Sequence, residues 1–422
     1  MKLLVFNIPN TLNYGSMMMA ENLFYYLSYF YQARSMEFIV ITPKPEETSL
    51  RLKQALGERN INIKINTIHP LKIFQGNKVG RIISQVAGIG FKKRLVSELL
   101  EINGVVVLGG DDYTEDYGYI GPIGNLLKFR GFVSSGKKVV MCGQTIGPFF
   151  SWRKNIMKHL LKNVTKIIAR DPLTYNYLTE EFKLKNVLLG SDLAFLPLSG
   201  EKDKHSHSRV NPEYYGLKEK YFTIVPSELI WKYAKDPSRE VYIDMLTNIA
   251  LYLFEKYQDY QLLILPHVLA PDSSDDRLAG RDLYINLKRK GIESERMIFL
   301  KEQLLPFQAR KLLAQSKVVF TGRMHAAISS FACGVPALSL SYSRKYWGII
   351  GEHFGLKELI VDIRDKRWET IEETCKKQIE SVFNNEEHLR KIIILKTAEM
   401  QQMAMKSIRD TLTLLCQSKN SC

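Results

Sequence analysis

Residues 316–341 read SKVVFTGRMHAAISSFACGVPALSLS. Within this stretch, Lys317–Phe320 is a run of β-branched and aromatic side chains, which predicts a short buried strand. Ala326–Cys333 predicts a helix that ends at Gly334, because glycine favours a C-terminal cap and the proline two residues later cannot continue a helix. Pro336–Leu340 predicts a second apolar strand. The order strand, turn, helix, strand indicates part of a parallel α/β sheet.

Two chemically useful side chains lie at the turn between this strand and this helix. The free N–H groups and the dipole of a helix N-terminus favour an anion, so the main chain at Met324 is a candidate anion contact. Arg323 adds a planar donor for carboxylate or phosphate, and His325 is a candidate acid or base near neutral pH. The alternative is that Arg323 pairs with a carboxylate and His325 packs under the helix. Spacing alone leaves both open.

Short apolar strands alternate with helices along the whole chain. The predicted strands are 2–7, 38–42, 61–68, 104–108, 138–142, 166–169 and 187–189, then 221–225, 261–265, 297–300, 317–320, 336–340 and 359–361. Near-continuous apolar strands that alternate with helices are typical of a parallel sheet covered on both faces. We therefore predict an α/β protein with two Rossmann-like, doubly wound domains.

The domain plan follows from length and from one polar break. A chain of 422 residues is too long for one ordinary core. We predict an N-terminal domain at 1–198, a polar and serine-rich linker at 199–220, and a C-terminal domain at 221–380. Residues 381–422 predict a long helix that packs across the domains. Two such domains facing a cleft would bind ligands beyond the carboxyl ends of their strands.

Composition excludes several classes of protein. With 45% hydrophobic and 24% charged residues the chain is globular, and no apolar run is long enough to span a bilayer. The N-terminus reads as a strand and a turn, without the architecture of a cleavable signal. Five scattered cysteines, an odd number, indicate reduced thiols and a cytoplasmic setting.

The net charge of +15 indicates anionic partners, and part of it is local. Between Arg59 and Ser97 there is no acidic residue, and apolar side chains alternate with cations at nearly helical spacing over 78–97. One interpretation is a peripheral contact with an anionic membrane. The better supported one is a helix packed on the sheet with solvated lysines. Nucleic acid is not expected, because no binding motif accompanies the charge.

Polar residues follow two predicted strands of the first half. Gly109 and Gly110 would let a ligand approach the main chain, and the carboxylates of Asp111 and Asp112 could position or deprotonate sugar hydroxyls. A solvated turn is the second interpretation. A divalent-metal site is the third, since adjacent side chains rarely converge on one ion. Gln144, in the turn GQTIGP at 143–148, can donate and accept hydrogen bonds, or the turn is only a structural connection.

Three further cations follow strands. Arg170 could point a guanidinium towards a ligand, unless Asp171 pairs with it. His267 could contact phosphate or sugar, although a lone histidine at a strand end is more often structural. Lys345, with its neighbour Arg344, would complete a cationic rim.

Together these motifs resemble the polysaccharide pyruvyl transferase family. The segment 322–338, GRMHAAISSFACGVPAL, is similar to the C-terminal signature of that family, and GQTIGP closely resembles its Gly-Gln-x-Ile-Gly-Pro element. Less specific matches are Asn13-Tyr14-Gly15, with Ser16 where an acidic residue often follows, the GGDD segment, RDPLT at 170–174 and YSRKYWG at 342–348. The resemblance runs from about Asn13 to Gly348.

The resemblance implies a fold like the GT-B glycosyltransferases and phosphoenolpyruvate as donor. Such an enzyme moves enolpyruvate to a sugar of a polysaccharide or its lipid-linked oligosaccharide precursor, as in exopolysaccharide or capsule synthesis, and closes a pyruvate ketal. It implies no metal and no cofactor, and a cytoplasmic enzyme that is either free or peripheral at the inner membrane face. The assigned catalytic residues are His325, Arg323 and Asp111. The assigned donor-binding residues are Arg323, Met324, His325, Lys345, Arg170 and His267. The assigned acceptor-binding residues are Asn13, Tyr14, Gly15, Gly109, Gly110, Asp111, Asp112 and Gln144.

Two other functions remain open at this point. A GT-B-like glycosyltransferase that uses a sugar nucleotide has the same domain plan. A non-catalytic protein that binds glycans or nucleotides would keep the ligand site without turnover. The helix N-terminus disfavours a positive charge on His325, which favours a base over a resting acid.

Overall fold

The computed structural model describes residues 1–31, 35–57, 62–75, 91, 95–115, 120–202, 212–270 and 273–417. The chain forms two compact units. Unit 1 comprises Met1–Thr11, Ser16–Ser199 and Met400–Cys422, and unit 2 comprises Leu12–Gly15 and Gly200–Glu399. The short segment Leu12–Gly15, predicted as part of an N-terminal domain, thus belongs to unit 2.

Unit 1 is built on a seven-stranded parallel sheet. Its strands are β1 (Lys2–Phe6), β2 (Met36–Ile41), β3 (Ile63–Ile68), β4 (Gly104–Tyr113), β5 (Lys138–Ile146), β6 (Lys166–Ala169) and β7 (Val187–Leu189). They lie in the order β3-β2-β1-β4-β5-β6-β7, and every pairing is parallel. The order reverses between β1 and β4. In doubly wound sheets, ligands bind at the carboxyl ends of the strands that flank such a reversal.

Unit 2 repeats the plan with six parallel strands. They are β8 (Tyr221–Val225), β9 (Gln261–Ile264), β10 (Met297–Phe299), β11 (Val319–Thr321), β12 (Ala337–Ser341) and β13 (Ile360–Asp362). Their order is β10-β9-β8-β11-β12-β13, with the reversal between β8 and β11. The longer described helices of both units are α1 (Tyr14–Phe30), α2 (Pro45–Leu56), α3 (Gly121–Ser134), α4 (Arg153–Leu161), α5 (Arg239–Lys256), α6 (Asp276–Arg289), α7 (Pro306–Ala314), α8 (Met324–Ala332), α9 (Trp368–Asn384) and α10 (Glu386–Cys416).

The predicted α/β class with two parallel, doubly wound sheets is confirmed. The central strands are apolar and fully buried, as β4 shows from Val105 to Leu108, because helices cover both faces of the sheet. The sequence analysis did not predict α3, α7 or α9. The terminal helix α10 begins at Glu386, inside the predicted segment 381–422, and runs to Cys416. Its residues up to Glu399 belong to unit 2 and those from Met400 belong to unit 1.

The predicted ends of β4 and β5 were wrong. Both strands run on, to Tyr113 and Ile146, through the segments read as turns. The register between them shifts after Gly110, which marks a local bulge. A Cβ on Gly109 would lie 2.1 Å from the carbonyl oxygen of Gly143, so only glycine lets the two strands continue side by side.

Two predictions fall largely outside the described residues. Of the basic stretch 78–97, the structure describes only 91 and 95–97. Of the predicted linker 199–220, it describes a short helix at Ser199–Lys202, a single turn at Pro212–Tyr215 and the residues up to 220. None of the described helices is both long enough and apolar enough to cross a bilayer.

Candidate active site

The turn after β11 places Arg323 and His325 at the reversal of the unit 2 sheet. Arg323 is the residue before α8, and Met324 and His325 are the first two residues of that helix. Thr321 fixes the turn, because its hydroxyl accepts a hydrogen bond from the Arg323 N–H at 2.8 Å and donates one to the Arg323 carbonyl at 3.1 Å. The helix therefore starts two residues earlier than predicted, and its N-terminus meets the end of the strand.

The guanidinium of Arg323 is held by a buried carboxylate. Its Nε lies 3.0 Å from Oδ2 of Asp276 and its Nη2 lies 2.5 Å from Oδ1, and Asp276 is fully buried. The same carboxylate accepts the main-chain N–H groups of Glu228 at 3.0 Å and Val268 at 2.9 Å. Burial raises the pKa of Asp276, while the Arg323 charge and these donors act in the opposite direction.

The pairing corrects the picture of Arg323 as a freely available cation. A buried guanidinium needs a counter-charge, and the interpretation of Arg323 as paired with a carboxylate describes this geometry. Asp276 joins the loops that follow β8, β9 and β11, so the ion pair holds the N-terminus of α8 in place. A donor-binding role for Arg323 would use the part of its side chain that remains exposed, about 11%.

The loop Leu12–Gly15 of unit 2 lies against His325. A Cβ on Gly15 would fall 2.2 Å from Nδ1 of the imidazole, far inside contact distance. The side-chain oxygen of Asn13 accepts a hydrogen bond from the Gly15 N–H at 3.0 Å and closes the turn. The space that Gly15 leaves is therefore filled by the candidate acid/base, and not by a ligand as the sequence analysis suggested.

Tyr14 and His267 form a buried pair beside this loop. Their rings meet edge to face with centroids 5.2 Å apart, and the Tyr14 hydroxyl accepts the N–H of Leu304 at 3.0 Å. Only 1% of Tyr14 and 2% of His267 is exposed. Burial and three basic groups lower the pKa of His267 well below its usual value; those groups belong to His325, Arg323 and Arg310. His267 is therefore neutral near pH 7, which argues against it as a cationic phosphate ligand.

Lys345 lies in the short helical segment after the neighbouring strand β12 and contacts a tyrosine. Its ammonium donates to the Tyr342 hydroxyl at 3.0 Å and lies 4.7 Å from the centroid of that ring. The hydroxyl of Tyr346 donates to the carbonyl of Gly322 at 3.1 Å, which ties this segment to the turn before Arg323. Lys345 is 8% exposed. The lysine of the predicted cationic rim is thus mostly buried.

In unit 1 the residues of the GGDD segment lie in the last part of β4. Gly110 and Asp111 are half-buried and Asp112 is exposed. Asn7, which follows β1, donates from its side-chain amide to Asp112 at 3.4 Å. Lys128 of α3 lies 6.0 Å from the ring centroid of Phe6, the last residue of β1, and burial lowers the pKa of this lysine. Polar groups therefore gather at the reversal between β1 and β4.

Gln144 is fully buried, which argues against direct contact with a ligand. Its side-chain amide donates to the carbonyls of Val107 at 3.1 Å and Leu108 at 2.7 Å. These bonds join β4 and β5 where their pairing becomes irregular. Gln144 therefore acts in the structural connection that the sequence analysis gave as its alternative.

Arg170 is buried in an ion pair, but not with the predicted partner. Its Nη1 lies 2.8 Å from Oδ2 of Asp192, and its Nε donates to the hydroxyl of Thr145 at 2.8 Å. Asp171 instead caps the next helical segment by accepting the Thr174 N–H at 2.8 Å. With 1% of its surface exposed, Arg170 supports the strand ends of unit 1 and presents no cation to solvent.

Sequence reasoning missed Asp276, Asn7 and Lys128, and it gave no role to Tyr342 within the YSRKYWG segment. Tyr342 and Asn7 directly follow β12 and β1, so their position after a strand was a usable signal. Asp276 begins a helix and Lys128 lies within one, and nothing near them in sequence links them to a strand end. In the described part of the chain, no group of three or more His, Cys, Asp or Glu side chains is placed to hold a metal ion.

Comparison with known proteins decides the family. A profile of the polysaccharide pyruvyl transferase family matches residues 13–344, most of the chain. The chain belongs to the polysaccharide pyruvyl transferase family. It is also 23% identical over 300 residues to the amylovoran biosynthesis protein AmsJ of Erwinia amylovora, an alignment that covers 67% of this chain and 69% of that protein.

Solved structures support the same plan of two parallel sheets. A UDP-GlcNAc 2-epimerase from Neisseria meningitidis, bound to UDP-GlcNAc, aligns with a TM-score of 0.60 at 14% identity, over 98% of this chain and 100% of that one. The protein TcCGT1, in complex with UDP, aligns with a TM-score of 0.63 at 10% identity, over 99% of each chain. At these identities the likeness shows the fold alone, which is that of GT-B glycosyltransferases and epimerases.

Because the chain belongs to this family, it is an enzyme, a transferase of polysaccharide biosynthesis. The family match includes the turn and helix that carry Arg323 and His325, which lie at the reversal of the unit 2 sheet.

Proposed function

We propose that this pyruvyl transferase moves enolpyruvate from phosphoenolpyruvate to two hydroxyls of a sugar in a polysaccharide or its lipid-linked precursor. The observation that carries the proposal is the position of His325 and the helix N-terminus at the end of β11, within the residues that match the family. The product would be a cyclic pyruvate ketal, with phosphate released.

The donor requires a site for two negative groups. Phosphoenolpyruvate carries a carboxylate and a phosphate, which need N–H donors and positive charge at short range. The main chain at Met324 begins α8, where the helix dipole favours an anion. Lys345 and the exposed part of Arg323 would supply the charge. Both side chains are already held in place, by Tyr342 and Asp276 respectively, which lowers the cost of ordering them on binding.

The reaction needs one proton donor and one proton acceptor. Protonation of the methylene carbon of phosphoenolpyruvate makes C2 electrophilic, and one sugar hydroxyl forms a bond to C2 while it loses its proton. The C2–O bond to phosphate then breaks, and a second hydroxyl attacks C2 and loses its proton to close the ketal. We assign His325 as the acid/base and Asp111 or Asp112 as the groups that orient the sugar. Tyr14, Gly15 and His267 would act by positioning His325.

The assignment of His325 is tested by His325→Gln, which keeps hydrogen-bonding atoms but cannot exchange a proton near neutral pH. We expect kcat to fall by about 10²- to 10⁴-fold, measured as phosphate release at saturating phosphoenolpyruvate and acceptor. His388→Gln, at an exposed position of α10, is the matched control and should leave the rate unchanged. Normal turnover by His325→Gln would remove His325 from the mechanism.

A sugar-nucleotide glycosyltransferase is the second candidate, because structures of the same fold are bound to UDP or UDP-GlcNAc. A donor screen separates the two proposals. With one acceptor preparation, a pyruvyl transferase releases phosphate from phosphoenolpyruvate, whereas a glycosyltransferase releases a nucleotide from a sugar nucleotide. Specific binding of a donor without any turnover would favour the third possibility, a binding protein.

A further inference from the structure

Three large apolar side chains of unit 1 stand in solvent around the start of α4. The exposed fractions are 84% for Phe150, 64% for Trp152 and 38% for Ile156. Single exposed apolar residues are common on protein surfaces, but two aromatic rings and an isoleucine within seven residues form a local cluster. We call Phe150, Trp152 and Ile156 the apolar cluster.

The apolar cluster is held outward by its neighbours. Phe149 points inward and is 1% exposed, and its N–H donates to the hydroxyl of Tyr177 at 3.0 Å. Next along the chain, Ser151 donates its N–H to Glu115 at 3.2 Å, and the guanidinium of Arg153 lies 3.3 Å from the same carboxylate oxygen. Because Phe149 and Ser151 are both anchored, the residues between and beside them are presented by an ordered backbone.

The helix α4, which begins directly after Trp152, also lines a basic cavity. The cavity has a volume of about 690 Å³, and its lining includes Lys158 of α4, Lys162 just after that helix, and Lys183 and Lys185 of the loop before β7. All four lysines are exposed. Within the described part of the chain, none of their ammonium groups forms an ion pair with a carboxylate. Four cations therefore line one cavity, while the nearby Glu181 pairs with Lys154 of α4 instead.

We infer that this face of unit 1, the apolar cluster together with the four lysines, binds the surface of an anionic phospholipid bilayer. A tryptophan and a phenylalanine next to a lysine-bearing helix are typical of interfacial contact, where the rings enter the headgroup region and the ammonium groups face lipid phosphates. Each lysine near an anionic surface adds attraction that weakens with salt. This inference is independent of the proposed function and of residues 78–97.

The apolar cluster is what favours a bilayer over a soluble polyanion. Nucleic acid or an acidic glycan would be attracted by the lysines and could stack on one exposed ring, but would gain little from burying Ile156 together with both rings. A bilayer uses both features of this face. We therefore expect the wild type to bind anionic vesicles more tightly than neutral vesicles. It should bind soluble polyanions no more tightly than a variant without the apolar cluster does.

The test is co-sedimentation of the full chain with vesicles of phosphatidylcholine and phosphatidylglycerol, and with vesicles of phosphatidylcholine alone. We expect binding to the anionic vesicles that is at least about tenfold tighter and that weakens as salt is raised. Both Phe150→Ser with Trp152→Ser, and Lys158→Glu with Lys162→Glu, should weaken this binding by at least about tenfold. The matched controls are Ile394→Ser with Leu395→Ser, which are exposed elsewhere, and Lys288→Glu with Lys290→Glu.

A second measurement guards against misfolded variants. Tryptophan emission of the wild type should shift to shorter wavelength when anionic vesicles are added, and Trp152→Phe should remove most of that shift while sedimenting normally. Equal binding to neutral and anionic vesicles, equal losses in the control variants, or loss on lysine reversal but not on removal of the aromatic rings would overturn the inference. The last result would indicate a soluble polyanion instead.

Discussion

Gly15 shows how one residue sets the position of the candidate acid/base. The imidazole of His325 occupies the volume that any side chain at this position would need. We predict that Gly15→Ala displaces His325, destabilises the protein by about 1–3 kcal/mol and lowers the transfer rate. Gly124→Ala, in α3 with open space around the new methyl, is the control and should be neutral or slightly stabilising.

Urea denaturation and phosphate release measure the two effects of Gly15→Ala separately. If the alanine variant unfolded and turned over like the wild type, the close contact between the Leu12–Gly15 loop and His325 would have no functional meaning.

Asp276 is the carboxylate on which the Arg323 turn depends. Asp276→Asn would leave the buried guanidinium of Arg323 without its counter-charge, and we predict a loss of about 3–5 kcal/mol in the free energy of unfolding. The control is Asp410→Asn, which breaks an exposed pair with Lys406 and should cost less than about 1 kcal/mol. Equal effects in urea denaturation would show that the buried pair contributes no more than a surface pair.

His267 should make the protein sensitive to acid. In the unfolded chain this histidine takes up a proton near pH 6.5, whereas in the folded chain its pKa is lower because it is buried near other positive groups. The unfolded state therefore binds more protons as the pH falls below about 6.5, so the free energy of unfolding decreases. The loss approaches about 1.4 kcal/mol for each pH unit below that point until the folded pKa is reached.

We predict that His267→Gln flattens this dependence between pH 7.5 and 5.5, whatever its stability at neutral pH. His388→Gln, at an exposed site, should retain the slope of the wild type. The measurement is urea denaturation at several pH values; an unchanged slope in His267→Gln would show that His267 is not a source of acid sensitivity.

At the scale of elements, the paired strands β4 and β5 carry most of the candidate site residues of unit 1. The two strands continue past the predicted turns because Gly109 has no side chain. The carbonyl of Gly143 occupies the space that a Cβ at this position would need. We predict that Gly109→Ala destabilises the protein strongly, since a main-chain atom cannot move aside, by about 1–3 kcal/mol or more. Gly110→Ala is the control, because the close contact of its methyl is with the side-chain carboxylate of Asp112, which can rotate aside. Similar thermal unfolding of the two variants would contradict this account of the strand pair.

The sequence predicts the elements well wherever local signals agree. The bounds of β6, β7 and β8 follow from short apolar runs. The ends of β4 and β5 could not be predicted, since glycine and aspartate are common in turns and only pairing between the two strands overrides that preference. The helix α3 was missed because it has little amphipathic pattern and contains three glycines.

The position of the candidate site was predictable from the sequence, but the ion-pair partners of its arginines were not. The turn and the helix N-terminus at Arg323 followed from the local sequence. The partner of Arg323 did not, because Asp276 is 47 residues away in the chain and the approach of the two depends on how α6 begins. In the same way, Asp171 was the predicted partner of Arg170 because it is adjacent in sequence. The observed partner is Asp192, which is 22 residues away in the chain but close in space.

At the scale of the molecule, two parallel sheets each bring polar residues to the point where the strand order reverses. In unit 2 these are the Arg323 turn, His325 and Lys345; in unit 1 they are Asn7, Asp112 and Lys128. The family match spans residues of both units. The fold is shared with enzymes of other specificity, so the choice of donor has to be decided by chemistry and not by architecture.

The most direct test follows carbon from the donor into the product. The wild-type chain is incubated with carboxylate-labelled phosphoenolpyruvate, sugar nucleotides and candidate lipid-linked oligosaccharides, and the glycan is isolated and analysed by mass spectrometry. We predict one labelled, acid-labile pyruvate ketal on the glycan for each phosphate released, and about 10²- to 10⁴-fold slower labelling with His325→Gln. A glycan that gains a sugar residue with release of nucleotide, and no carbon from phosphoenolpyruvate, would contradict it.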